Sequence, residues 1–292
     1  MARFEYFAPT SIEEVIRLLQ EHGKEAKVLA GGTDLLVFMR DGRVKPRWVI
    51  DLTRVEGWAY LTETEEGGVR IGAMTTLREI EISPLLQARY TALVQGAREV
   101  GSVQIRNRAT LGGNLCTSSP AADTPPSLLT FDATVRLRGP AGERLVALSE
   151  FFTGPGENVL QPAEVLVEVL LPPLPPRTGS HYLKLSTRRA LDLAFVGVAA
   201  RVTLAEEGET LAEVRLGLGA VAPTPRRVEA VEELLRGQPL TEETLARAAK
   251  VAQAAVQPIT DVRASAEYRR AMVGVLTKRA LQRAYAAAQN QA

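Results

Sequence analysis

Two double-glycine loops, Ala30-Gly31-Gly32-Thr33-Asp34 and Thr110-Leu111-Gly112-Gly113-Asn114, constrain this chain more than any other feature. Lacking Cβ atoms, such main chain takes φ > 0 and approaches a ligand closely, so successive N–H groups form an anion-binding nest suited to a diphosphate. Taken alone, either pair also reads as an ordinary tight turn. Gly-x-Gly-x-x-Gly and Gly-x-x-x-x-Gly-Lys-Ser/Thr are both absent, which excludes the Rossmann fingerprint and the mononucleotide P-loop. A nucleotide held by these loops therefore needs another fold.

The patterning around the loops is α+β. Thr10 and Ser11 precede Glu13 and Glu14 at capping-box spacing, before a helix with Ile12, Val15, Ile16 and Leu19 on one face, stopped by Gly23. A strand from Lys27 to Ala30 runs into the first loop, and a helix from Thr33 to Arg40 should turn Leu35, Leu36 and Met39 inward. Trp48 to Leu52 reads as a strand, and Ala59 to Thr64 forms a hairpin with Val69 to Ile71. Helices follow at Thr76 to Ile82 and Pro84 to Val100, then a Gly-, Ser- and Pro-rich stretch from Gly101 to Pro126 reads as a long ordered loop. Strands at Thr134 to Arg138, Arg144 to Ala147 and Glu164 to Leu170 precede the stiff connector Pro172 to Pro176. Beyond it lie strands at Tyr182 to Ser186, Phe195 to Leu204 and Leu211 to Leu218, then helices at Arg227 to Arg236, Thr241 to Val256 and Ala264 to Ala288. Boundaries near Glu56 and after Pro176 divide the chain into units 1–56, 57–177 and 178–292.

With 46% hydrophobic and 24% charged residues the chain has material for ordinary cores. A net charge of +1 and no local basic stripe disfavour nucleic acid. The single cysteine, Cys116, excludes an intrachain disulfide and any cysteine-built iron–sulfur or zinc centre, so a redox group here is organic. The start, Met1-Ala2-Arg3-Phe4-Glu5, has no apolar signal core, and no apolar run is long enough to be an integral membrane segment; a cytoplasmic location is the expectation.

Asp123, before Thr124-Pro125-Pro126, reads either as the cap of a short helix or as an acceptor for a ligand hydroxyl. Lys184 is the only lysine between Lys45 and Lys250, where every other basic residue is arginine. Retention of a compact amine suggests a geometric demand, the alternative being a lysine snorkelling from a strand edge. His22 and His181 have no metal-ligand spacing and read as structural, and Arg226-Arg227 as a solvated helix start.

The run Val100-Gly101-Ser102-Val103-Gln104-Ile105-Arg106-Asn107-Arg108-Ala109-Thr110-Leu111-Gly112-Gly113-Asn114, followed by Ser119-Pro120-Ala121-Ala122-Asp123, resembles the flavin loop of molybdenum hydroxylase medium subunits, the carbon monoxide dehydrogenase and xanthine dehydrogenase type. Gly31-Gly32-Thr33-Asp34 is similar to that family's other FAD loop, and the likeness runs from about Phe4 to the C-terminal helices. It implies a vanillyl-alcohol-oxidase-type (PCMH-type) FAD fold of two subdomains plus an α+β C-terminal domain, binding FAD non-covalently. Carried over by position, Val28, Leu29, Ala30, Gly31, Gly32, Thr33, Asp34 and Leu35 with Thr110, Leu111, Gly112, Gly113 and Asn114 contact the ADP and diphosphate portion. Asp123 matches a ribityl-contacting aspartate, Lys184 a lysine near the isoalloxazine, and Val100 and Val167 apolar contacts. The resemblance implies no substrate chemistry in this chain. Molybdopterin would belong to a large partner subunit and 2Fe-2S clusters to a small one, in a dimer of heterotrimers that passes electrons through FAD to an external acceptor. Where the family often has an aromatic covering the flavin after Asp192, this chain has Leu193-Ala194, and the iron–sulfur insertion of hydroxybenzoyl-CoA reductase is missing. A self-contained flavin oxidase would need its own acid–base groups and often a His or Cys flavin link, residues scarce here; a non-catalytic nucleotide-binding module is the other alternative.

Overall fold

The computed structural model describes residues 3–291; Met1 and Ala2, within the start read as lacking a signal core, and Ala292 lie outside the described residues. Strand β1 (Glu5–Phe7) leads to helix α1 (Ile12–His22), whose Ser11 cap accepts the Glu14 N–H while the Glu14 carboxylate reaches back to Thr10. β2 (Ala26–Leu29) enters the first glycine loop, α2 (Leu35–Arg40) leaves it, and β3 (Trp48–Asp51) returns between β1 and β2 as a three-stranded parallel sheet. β1 is too short for its alternation to show in the sequence. Its Phe7 stacks on His22, which stacks on Trp48 at 4.4 Å between centroids, so His22 is a packing residue. Helix α2 departs from expectation: Met39 is buried, but Leu36 faces out at 42% exposure.

A second sheet, order β4-β5-β10-β6-β7, is antiparallel throughout. The hairpin β4 (Leu61–Glu63) and β5 (Val69–Gly72) turns at Gly67 with φ +84°. α3 (Leu77–Ile82) starts at a Thr76 and Glu79 capping box. The single helix expected from Pro84 to Val100 is two, α4 (Pro84–Arg89) and α5 (Thr91–Arg98), broken at Tyr90, whose ring is fully buried and whose hydroxyl donates to the Pro172 carbonyl at 2.7 Å. Burying that ring with its polar tip satisfied outweighs one turn of helix. The stretch 101–126, expected as a loop, instead holds α6 (Val103–Arg106), α7 (Leu111–Thr117) and the start of α8 (Thr124–Thr130). Ser102 and Thr110, read as loop composition, are the N-caps of α6 and α7. The sheet is completed by β6 (Thr134–Gly139), β7 (Gly142–Ala147) and, after α9 (Leu148–Phe151) and the small pair β8 (Phe152–Gly154) and β9 (Glu157–Asn158), by β10 (Val165–Leu171).

The C-terminal sheet runs β11 (Thr178–Leu185), β12 (Val196–Leu204), β13 (Leu211–Gly219) and β14 (Arg226–Arg227). All nine residues of β12 are buried, as a strand covered on both faces requires. Val196, Val198, Ala200 and Val202 face the core formed with α10 (Glu229–Leu235), α11 (Glu242–Ala254) and α12 (Ala266–Gln289), while Ala199 joins the core of the N-terminal part. No helix among the described residues is long and apolar enough to cross a membrane.

Arg226-Arg227 is not a solvated helix start. It forms β14, and Arg227 contacts the Asp132 carboxylate at 2.5 Å and also pairs with Glu232. Asp132 sits just after α8 at φ +51° and also takes Arg201 (3.1 Å) and Arg215 (3.2 Å), three cations from the C-terminal sheet on one N-terminal carboxylate. Asp132→Ala is expected to cost about 2 kcal/mol in urea unfolding, below the ~3–5 kcal/mol for a fully buried pair because Asp132 is partly exposed. Asp132→Asn, which keeps the tolerance for positive φ, should cost less than Asp132→Val.

Candidate functional site

The structure brings the two glycine loops against each other. A Cβ added to Gly31 would overlap the Arg108 carbonyl group, and Gly32 has φ +77°. A Cβ on Gly113 would point to Ala30, 3.7 Å from its methyl carbon. The Thr117 hydroxyl, at the end of α7, lies within donating distance of both the Gly113 carbonyl (2.9 Å) and the Asp34 carboxylate (3.1 Å), bringing the first loop beside that helix. Val28 and Leu29 end β2 beneath the first loop, and Leu35 begins α2 beyond it.

The loops differ in what their backbones offer. Among the described residues nothing bonds the N–H groups of Gly31, Gly32, Thr33 or Asp34; backbone pairing resumes with Leu36 N–H to Gly32 O at 3.1 Å. Consecutive unpaired donors at a strand-to-helix turn, on the partly buried Gly31, Gly32 and Thr33 and the exposed Asp34, are the feature that an anion nest requires. In the second loop the expectation of bare donors fails. Leu111 N–H goes to Thr75 O, Gly112 N–H to Ala73 O, Gly113 N–H to the Thr110 hydroxyl and Asn114 N–H to Thr110 O. Thr110 caps α7, so this loop offers side chains and shape rather than free N–H groups. Asn114 accepts the Thr124 hydroxyl at 2.7 Å, tying the loop to α8.

Val167 is buried at an irregularity in the β10–β6 pairing, and its carbonyl accepts from Trp58 Nε1 and Ala73 N, both at 2.9 Å. Because Ala73 O in turn accepts Gly112 N–H, Val167 braces the second loop through backbone. Val100 is half-buried, and its carbonyl takes Arg106 Nη1 at 3.0 Å.

Asp123 and Lys184, 61 positions apart, form a buried ion pair at 2.8 Å with side chains 7% and 4% exposed. Asp123 occupies the N-cap position of α8 but makes no capping bond. An N-cap carboxylate bonds the second or third helical N–H, and here those positions are Pro125 and Pro126, which have none. The carboxylate is thus released to the sheet. Tyr182 Oη donates to its Oδ1 at 2.8 Å, and Lys184 Nζ bonds Oδ2 and also the Glu99 carbonyl at 3.0 Å. Lys184 is not a snorkelling lysine. Burial pushes the Asp123 carboxyl up to about 6, against the pull of Lys184 and Tyr182; burial likewise pushes the Tyr182 phenol well up. Tyr182 and Glu99 were missed in the sequence; the pairing of an uncappable aspartate with alternate strand positions was the available signal.

Other candidates are structural. His181 is held between Gln95 and Arg283, and burial with the Arg283 charge lowers it to about 4. Burial raises the Cys116 thiol to about 12, which disfavours its thiolate. Leu193, at the place of the family's aromatic, is 48% exposed on a loop that touches Gly101 through the Leu191 N–H. Among the described residues no cluster of His, Cys, Asp or Glu could hold a metal ion.

Residues 2–174 match the family described as the FAD binding domain in molybdopterin dehydrogenase, and residues 181–284 the CO dehydrogenase flavoprotein C-terminal domain. The chain is 38% identical over 284 residues to the carbon monoxide dehydrogenase medium chain of Hydrogenophaga pseudoflava, covering 97% of this chain and 98% of that one. It is 34% identical to a putative xanthine dehydrogenase FAD-binding subunit of Escherichia coli K12, covering 97% and 96%. Among solved structures, carbon monoxide dehydrogenase from H. pseudoflava superposes with TM-score 0.94 at 38% identity, covering 97% and 98% of the two chains. Quinoline 2-oxidoreductase from Pseudomonas putida 86 superposes with TM-score 0.91 at 28% identity, covering 98% of each. The architecture is the expected PCMH-type α+β fold.

The Asp123 site predicts a pH signature. Its carboxyl titrates higher folded than unfolded, so its contribution to stability is full below the ordinary value of 3.8 and is lost as pH rises through about 6. Thermal melts of the cofactor-free chain should show wild type losing ground to Asp123→Asn across that window. Lys184→Met, which strands a buried carboxylate, should cost ~3–5 kcal/mol at neutral pH.

Proposed function

The chain belongs to the FAD-binding flavoprotein subunits of the molybdopterin dehydrogenase family, and from that premise we propose that it is the electron-transfer subunit of a molybdenum hydroxylase complex. The observation that carries the reading is the run of unpartnered N–H groups at Gly31 to Asp34, set against the Thr110 to Asn114 loop at a distance fixed by Gly31 and Arg108. FAD would supply the capacity to take up and release electrons. Toward it, Gly31, Gly32, Thr33 and Asp34 would donate N–H groups to the diphosphate, Thr110 and Asn114 would add polar side chains, and Ala30, Leu111, Gly112 and Gly113 would shape the cleft. Asp123 would accept a ribityl hydroxyl and Lys184 would bring its charge near the ring. Val28, Leu29, Leu35, Val100 and Val167 complete the proposed lining.

Substrate chemistry would then take place in a molybdenum-binding large subunit, with a 2Fe-2S small subunit relaying electrons to this chain for an external acceptor, in a dimer of heterotrimers. The names of the relatives, a medium chain and FAD-binding subunits, support that assignment of labour. The division 1–56, 57–177 and 178–292 is proposed on the same footing, each main sheet lying within one unit.

Acid precipitation of the purified chain should release one FAD per chain into the supernatant; flavin left in the pellet, or FMN in solution, counts against the reading. The glycines rank the test further. Gly31→Ala should lose FAD because it forces the loops apart, and Gly32→Ala should weaken it through a positive φ costing about 1–2 kcal/mol. Gly113→Ala, opposed only by its own Thr110 hydroxyl and the Ala30 methyl, should be mildest. Circular dichroism separates these losses from unfolding, and equal FAD affinity in all three would return the glycines to simple turns.

A further inference from the structure

We infer that Tyr182 is a positioning residue of the cofactor site, locking the Asp123 carboxylate in the orientation that turns its second oxygen to Lys184. The inference rests on the FAD reading above and extends it to a side chain outside the glycine loops. Tyr182 and Lys184 are two apart on β11, so both project from one face of the strand. They take separate oxygens of one carboxylate, Oδ1 from the phenol and Oδ2 from the ammonium, each at 2.8 Å.

Three further observations single out the hydroxyl. Asp123 receives nothing from its own helix, because Pro125 and Pro126 remove the N–H groups that a cap would bond; its side-chain direction depends on β11. β11 is itself fixed at this point, with Tyr182 N–H donating to Gln95 Oε1 at 2.7 Å and Lys184 to the Glu99 carbonyl at the end of α5. Finally, the neighbouring strand makes room for the phenol. Gly197 lies opposite Lys184 on β12, and a Cβ there would stand 2.7 Å from Tyr182 Oη. A glycine inside a buried strand weakens it, and here the space it leaves is occupied by the hydroxyl. Phenylalanine would fill the same volume, so the oxygen serves the carboxylate rather than the packing.

The orientation matters because an unfastened carboxylate in a site this dry rotates or protonates, and either change moves the Lys184 ammonium with it. The charged and titratable groups facing Asp123 are Tyr182 and Lys184 from β11 and Glu99 from α5.

The test is FAD titration of the full-length, deflavinated chain by fluorescence, with wild type, Tyr182→Phe, Asp123→Asn, their double variant and Lys184→Met, followed by reductive titration of the reloaded proteins. Loss of a hydrogen bond to a charged group should weaken FAD binding by roughly tenfold in Tyr182→Phe. The double variant should bind no more weakly than Asp123→Asn, and the flavin potential in Tyr182→Phe should shift in the same direction as in Lys184→Met. A Tyr182→Phe chain that melts earlier but keeps wild-type affinity and potential, or effects that add in the double variant, would overturn the inference. If Tyr182→Phe does not fold, Gly197→Ala displaces the hydroxyl while keeping the tyrosine, and wild-type FAD affinity and potential in that variant overturn it equally. Wild-type chain that takes up no FAD removes the functional reading and this inference together, whereas wild type that binds FAD with additive variants removes only this one.

Discussion

Carboxylates at the two ends of one buried helix join the halves of the molecule. Asp123 precedes α8 and takes Lys184 and Tyr182 from β11, while Asp132 follows it and takes Arg201, Arg215 and Arg227 from β12, β13 and β14. Between them all seven residues of α8 are buried against that sheet. Ionic contacts in such a setting stabilise little in net terms, because desolvation offsets the attraction, but a missing partner is costly. They therefore act as alignment, and α8 cannot slide on the sheet without uncovering a charge. Asn114, bonded to Thr124 of the same helix, extends that alignment to the second glycine loop.

The residues of the candidate site were legible in the sequence to different depths. The longer strands and the helices α1, α11 and α12 were readable because periodicity reports burial directly, and the glycine pairs because few residues tolerate such backbone, whereas the short β1 and the break at Tyr90 were not. The stretch from Gly101 to Pro126 misled because Ser, Thr, Gly and Pro are used at helix starts as well as in loops, and composition alone does not separate a cap from a turn. Of the two readings Asp123 offered, the cap could have been set aside on local grounds: a cap followed by Thr124 and two prolines has no donor at the positions it would bond. Arg227 and Asp132, 95 positions apart, could not be paired from the chain, since nothing local records a long-range ion pair.

The two glycine loops look alike in sequence and differ in physics. In the first, glycine frees N–H groups, and the chain leaves them unspent. In the second, Gly112 packs against Ala73 and Thr110 closes the helix start, so the same dipeptide serves close packing. On the proposed reading, a site with one donor-rich wall and one internally satisfied wall would take up a diphosphate while only the first wall changes its hydrogen bonding. The cost of ordering on binding is then confined to a short segment between β2 and α2.

The pairing of Lys184 also revises what its charge can do to a flavin ring. An isolated ammonium acts as a monopole, whose influence falls as the inverse of distance; at an effective dielectric near 20 that is about 4 kcal/mol at 4 Å. With the Asp123 carboxylate 2.8 Å away the pair is a dipole, and its field falls more steeply and depends on direction. On the proposed reading, the influence of Lys184 on the reduced flavin is set less by the presence of a cation than by which end of the pair faces the ring. The tyrosine, the two prolines and the glycine that together orient Asp123 are therefore as much a part of that electrostatics as the lysine itself.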